Sequence, residues 1–179
     1  MRKRKQRLDF EVDRLTNSIQ NILTGEVFET EIIQLGMQDK GFLQKLKWSF
    51  DWAAELENPR RQVHAVTTKE NPLIFQGLVS SEDFHDHVYL HLLESAPLNK
   101  GHTKLYAGVP GNLVAFLCKT SFEKGYQGNV VFEPKTRLIE HYEKTLGAQR
   151  ITRSRMFIGT RAAYRLVTQY FPDFDHDRL

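Results

Sequence analysis

The chain has one cysteine, Cys118, among 179 residues. No internal disulfide can form, so a reducing, cytoplasmic setting is expected. It has no apolar run near the length that spans a bilayer, and no membrane partner is expected. Its first basic residues, Arg2, Lys3, Arg4, Lys5 and Arg7, lack the apolar segment of a secretion signal. It has no internal repeat and no low-complexity linker, which implies a single domain over residues 1–179. It also has little charge of one sign. The formal net charge is +3, but five basic residues precede Asp9. That leaves 20 of the 25 Lys and Arg against 22 Asp and Glu, a net of −2 over residues 8–179. Such a near-neutral body does not read as a nucleic-acid surface. The basic arm reads as a solvated terminus, with contact to nucleic acid or a partner as the alternative.

What is present is a succession of periodic segments. Leu8, Val12, Leu15, Ile19 and Ile22 fall at steps of three and four, which predicts an amphipathic helix over 8–23 within an N-terminal segment 1–26. Val27 to Leu35 reads as a strand. Phe42, Leu46, Phe50 and Ala53 recur at helical spacing to Leu56, with Trp48 and Trp52 one turn apart and Pro59 as the stop. Strands are expected over 61–67, over 72–80 with Gly77 as a bend, and over 87–94, ended by Pro97. A helix over 111–124, closed by Gly125, precedes a short strand at 130–132. A helix over 135–145, capped by Gly147, leads to two short strands near 149–152 and 155–159. A last helix over 160–171, stopped by Pro172, opens a C-terminal segment 160–179.

Two constellations carry chemistry. Gly108-Val109-Pro110-Gly111-Asn112-Leu113 lies between a strand and a helix. With Pro110 at the first helical position, the amides of Gly111, Asn112 and Leu113 would be free for an anion. Gly108 and Gly111 would let phosphate oxygens approach the backbone, unless the turn is purely structural. The second is the stretch from Asn129 to Ala148, a buried strand, a helix carrying Tyr142, and a Leu146-Gly147 stop before another strand. This ending resembles the GNAT superfamily of N-acetyltransferases, and the element order over residues 27–159 is similar to that family's. The glycine turn departs from the family pattern. Its glycines are two residues apart, Pro110 removes a donor, and Lys104, the nearest basic residue, stands one position too far. Lys135 occupies the place of a common Asn.

The resemblance implies an α/β (α+β) fold with a mixed, mostly antiparallel central sheet. A splayed strand pair and helices on both faces are expected, with extra N- and C-terminal helices. It implies transfer of an acetyl or other acyl group from acetyl-CoA, or another acyl-CoA, to a small-molecule or protein amine by direct attack, with no metal. A non-catalytic acyl-CoA-binding or protein-interaction module on the same fold is the alternative, and a homodimer is left open. Tyr142 would protonate the departing thiolate or hold it, with core packing as its competing role. Glu94, as base, would have a raised pKa; the other option is a strand-end carboxylate turned to solvent. Alternation puts Glu94 on the face of Val88, Leu90 and Leu92, odd for a charge unless a bulge or cleft intervenes. Backbone around Glu94, Ser95 and Ala96 would hold the pantetheine arm. Gly108, Val109, Gly111, Asn112, Leu113 and Lys135 would contact the cofactor. His85, His87 and His91 share a strand face but lack a completing ligand for a metal. Cys118 reads as a core residue, Trp48 and Trp52 as core or acceptor cleft, and Asp173, Asp175 and Asp177 as a solvated tail.

Overall fold

Short β-rich runs separated by helical segments give ten strands and five helices among the described residues, 7–175 and 177, of the computed structural model. In chain order these begin β1 (Ile19–Asn21), β2 (Val27–Phe28), β3 (Thr30–Leu35), α1 (Lys40–Lys45), α2 (Trp52–Glu57) and β4 (Gln62–Thr68). There follow β5 (Gly77–Asp83), β6 (Val88–Ser95), β7 (Tyr106–Ala107), α3 (Val109–Glu123) and β8 (Val130–Phe132). The chain closes with α4 (Ile139–Leu146), β9 (Gln149–Arg150), β10 (Met156–Ile158) and α5 (Thr160–Tyr170). Seven strands form the main sheet in the order β3-β4-β5-β6-β8-β10-β9, and β2-β1-β7 form a small second sheet. Among the strands of the described residues only β6 and β8 pair in parallel, and their pairing covers just Val88–Leu90 against Val130–Phe132. β6 runs on to Ser95 while β8 stops, so the two strands part into a wedge. No helix among the described residues is long and apolar enough to cross a membrane.

Two apolar clusters pack on this sheet. Alternation sends Val63, Ala65 and Leu78 to a cluster with Leu43 and Trp52 of α1 and α2, and Val66 and Val79 to one with Val109, Leu113 and Leu117 of α3. The register of β5 and β6 shifts at His91, where Ser80 faces Leu92 but Ser81 faces Leu90. This bulge turns Leu92 and Glu94 toward α2 while Val88 and Leu90 face the larger cluster. The bulge that would resolve the oddly placed carboxylate is therefore present.

Several expectations are corrected. Residues 8–18 form no helix; they run over the body, because their backbone finds partners at the end of β8 and on α4 and α5 rather than within itself. The strand expected over 27–35 is broken into β2 and β3. The helix expected over 42–56 is broken into α1 and α2, because the loop between them gives its Ser49 and Phe50 amides to the Glu94 carboxylate. Asp51 then caps α2, accepting from the Ala54 amide at 3.1 Å. β5 begins at Gly77 instead of 72, and Leu73 is 83% exposed in the preceding loop. Gly77 is a point of close approach rather than a bend, since a Cβ there would stand 2.6 Å from Val109 Cγ1. Most of the basic arm lies outside the described residues.

Candidate active site

The wedge is not open along its full width. Val88 N–H donates to the Asn129 carbonyl, which fixes the edge of β8 that faces β6. Backbone groups alternate edges along an extended chain, so Glu133 and Lys135 present theirs on that same edge. Both pair there with Leu8: its N–H donates to the Glu133 carbonyl at 2.9 Å, and its carbonyl accepts from Lys135 N–H at 2.8 Å. The N-terminal strap thus takes the place that β6 vacates.

From Leu8 the strap passes over α4. Its Phe10 carbonyl accepts the Tyr142 hydroxyl at 2.5 Å, and its Val12 N–H donates to His141 Nε2 at 2.9 Å. The Tyr142 ring lies against Phe10 and edge-on to Phe132, and burial pushes its phenol well above the usual tyrosine range. The strap then reaches α3, where the Asp13 carboxylate accepts from Gly108 N–H at 3.2 Å and pairs with Lys104 Nζ at 3.2 Å. Asp9 pairs with Lys135 and Arg137, and Glu11 stands 3.6 Å from Arg137. Thr16 N–H donates to the Tyr170 hydroxyl, whose pKa is pushed up to about 12 by burial.

The glycine turn differs from expectation in detail. α3 starts at Val109, with Gly108 as its cap at φ +89°, so Asn112 N–H is already bonded to the Gly108 carbonyl and Leu113 sits in the second turn. The amides with no partner inside the helix are instead those of Gly108, Val109 and Gly111, and that of Gly108 is held by Asp13. A Cβ on Gly108 would strike Thr16, and one on Gly111 would strike the Tyr170 hydroxyl, so in this conformation both glycines admit the chain's own atoms. Asn112 is fully buried; its amide nitrogen donates to Thr30 Oγ1 at 3.2 Å, and its Oδ1 has no partner among the described residues.

Glu94 is 2% exposed, and its two oxygens receive Ser49 N–H at 2.7 Å, Phe50 N–H at 3.3 Å, Trp52 Nε1–H at 2.8 Å and Lys100 Nζ at 2.6 Å. Burial pushes this carboxyl up, but the bonds from Lys100, Trp52 and Ser49 outweigh it and hold the pKa below the ordinary range. The raised pKa and the solvent-facing alternative are both corrected. Ser95 pairs with Gly77, and Ala96 N–H bonds the Gln76 carbonyl. Between the strap, the end of β6 and the 99–104 loop lies a cavity of about 900 Å³, lined among others by Glu94, Ser95, Lys100, Asp13, Pro110 and His141. Elsewhere, His91 Nε2 bonds Glu82 at 2.8 Å, and no cluster of three metal-ligating side chains occurs among the described residues. Cys118 is buried, and burial raises its thiol. Trp52 is in the core.

A scan of protein-family models finds no match, and a search of curated proteins finds no similar sequence. Solved structures do match. Mutant forms of the spermidine/spermine N-acetyltransferase SpeG from Vibrio cholerae superpose with a TM-score of 0.54 at 12% identity, covering 76% of this chain and 97% of that one. The ribosomal-protein-S18-alanine N-acetyltransferase from Escherichia coli gives 0.53 at 16% identity, over 73% and 94%. This chain has the GNAT fold. AtaTR bound with AcCoA gives 0.52 at 13% identity, over 77% and 98%. In this GNAT fold, the residues around the wedge fit an anionic cofactor: Gly108 N–H and Lys104 already hold one carboxylate, and Lys135 and Arg137 another.

Sequence reasoning missed His141, Asp13, Asp9 and Arg137 as parts of this site. The signal was present in Asp9-Phe10-Glu11-Val12-Asp13, a strict alternation of acid and apolar residues that predicts an extended segment. The longer helical period from Leu8 to Ile22 masked it.

Proposed function

We propose that the chain is a single-domain acyltransferase, moving an acetyl or other acyl group from acyl-coenzyme A to a primary amine. One observation carries this reading: a single strap, lying where β6 leaves β8, joins the buried Tyr142 hydroxyl at Phe10 to the anion-holding Gly108 N–H and Lys104 at Asp13. Acyl-coenzyme A, when bound, supplies a thioester open to attack by an amine. The chain's part is to position the reactants and handle protons. Tyr142 Oη, kept protonated by burial, gives the proton that the departing sulfur gains. Glu94 is poorly suited to accept the proton lost by the amine, because four donors already occupy its oxygens. We assign that step to His141 on the cavity wall, whose Nε2 lone pair accepts from Val12 N–H while the strap is in place and is freed for the amine when the strap moves. Glu94 then serves as the anchor that shapes the 46–51 loop over the cavity. Backbone near Ser95 and Ala96 and the start of α3 at Gly108, Val109 and Gly111, with Lys104 and Lys135, are the proposed cofactor contacts.

Its solved counterparts act, by name, on spermidine or spermine and on a ribosomal-protein alanine, all amines. A second reading, a non-catalytic acyl-CoA-binding or interaction module, is favoured by the strap lying in the wedge. Calorimetry with acetyl-CoA, followed by transfer assays on an amine panel, separates the two. The acyltransferase reading expects binding and transfer. It also expects Tyr142→Phe to lower turnover about tenfold or more, with cofactor affinity little changed. Binding without transfer selects the second reading, and unchanged turnover in Tyr142→Phe removes the phenol from the mechanism.

A further inference from the structure

The N-terminal strap meets the wedge at each point where a cofactor would. It pairs with the β6-facing edge of β8 through Leu8, and it holds Tyr142 and His141 through the carbonyl of Phe10 and the amide of Val12. It places carboxylates on Gly108 N–H and Lys104, and on Lys135 and Arg137. An extended peptide offers the same alternating N–H and C=O groups as an amide-bearing arm, and its acids meet the same donors as a phosphate. We propose that residues 8–16 are an autoinhibitory strap, an internal acidic mimic that must leave before acyl-coenzyme A can enter.

The proposal rests on the acyltransferase reading above. The way the strap is held suits release. Residues 9–16 form no regular element, and Asp9 lies in ion pairs whose Lys135 and Arg137 side chains are about half exposed. Pairs of that kind are individually weak. The large cavity on the strap's far side leaves it unsupported by protein there. Leu8, Phe10 and Val12 are buried and give the strap its remaining hold. A closed fraction of molecules weakens apparent cofactor affinity in proportion. Removing the two mimic charges should therefore tighten binding without adding any contact to the ligand.

The test uses the full chain. Coenzyme A is titrated calorimetrically into the wild type and into the Asp9→Asn, Asp13→Asn double variant. Amide hydrogen exchange of residues 8–16 is followed in the wild type with and without coenzyme A. The expected result is binding about tenfold tighter in the variant, the equivalent of about 1.4 kcal/mol. Exchange in residues 8–16 should rise on binding while that of α5 stays level. If coenzyme A binds both proteins equally and exchange in 8–16 does not rise, the strap does not leave. The inference is then overturned and the acyltransferase reading stands. Should neither protein bind coenzyme A, the acyltransferase reading falls and the strap's role as its inhibitor falls with it.

Discussion

Tyr142 and Glu94 are both enclosed polar residues, and their partners give them opposite duties. The phenol has one hydrogen-bond partner, the Phe10 carbonyl on the strap, and in the proposed mechanism it acts once that carbonyl moves. The carboxylate has four donors and gains nothing by moving. Glu94→Gln is expected to lower unfolding stability by about 3 kcal/mol in urea titrations at pH 7, since it removes a charge that buried donors and Lys100 require. The pH dependence follows from the sign of the shift. A pKa lower in the folded than in the unfolded state adds stability above the ordinary value of 4.5, and this is lost as pH falls below it. Melting curves between pH 6 and 3 should show a steeper loss in the wild type than in Glu94→Gln, which keeps only the share of Asp9, Asp83 and the other depressed carboxylates. The sequence betrayed that Glu94 was special through its clash with alternation. It could not reveal the Ser49 and Phe50 donors, which lie more than forty positions away in a loop that looked helical.

Among the elements, the strands and helices from β4 to α5 largely follow the hydrophobic period, with ends displaced by a few residues. Failures cluster where a polar partner elsewhere in the fold outcompetes local hydrogen bonding. The stretch 46–51 gives up its helix to Glu94, and residues 8–18 give up theirs to β8, α4 and α5. Gly77 was legible as unusual but not for its reason, which is the approach of α3 to the sheet. Gly77→Ala is expected to cost about 1–3 kcal/mol in thermal or chemical unfolding, because Val109 and Leu113 must shift. Gly41→Ala, with nothing near its missing Cβ, is the control and should be neutral or slightly stabilising.

At the scale of the molecule, the order of elements gave the mixed sheet and its parting strands, and the solved structures match that architecture. What order could not supply is which segment lies between those strands. The candidate site therefore emerged with Tyr142 and the glycine turn in view, but without the acidic stretch that touches both. Because that stretch is tied down partly by solvated ion pairs, salt should loosen it selectively. Raising salt from 0.05 to 1 M is expected to increase amide exchange in residues 8–16 while protection in β5 and β6 is unchanged. An equal change in all three would mean that charge does not hold the N-terminal stretch.

The extra residue at His91 has a consequence for the whole interior. It acts as a half-turn inserted into a strand, deciding which side of the sheet every later side chain visits. Straightening the bulge with His91 kept in the strand would swing Leu92 and Glu94 beneath α3 and send Leu93 toward Trp52, stranding an ionised oxygen pair among Val109 and Leu113. Deleting His91 removes residue and bulge together and leaves Leu92, Leu93 and Glu94 on the sides they now occupy, so that variant is expected to fold, as circular dichroism and thermal unfolding would show.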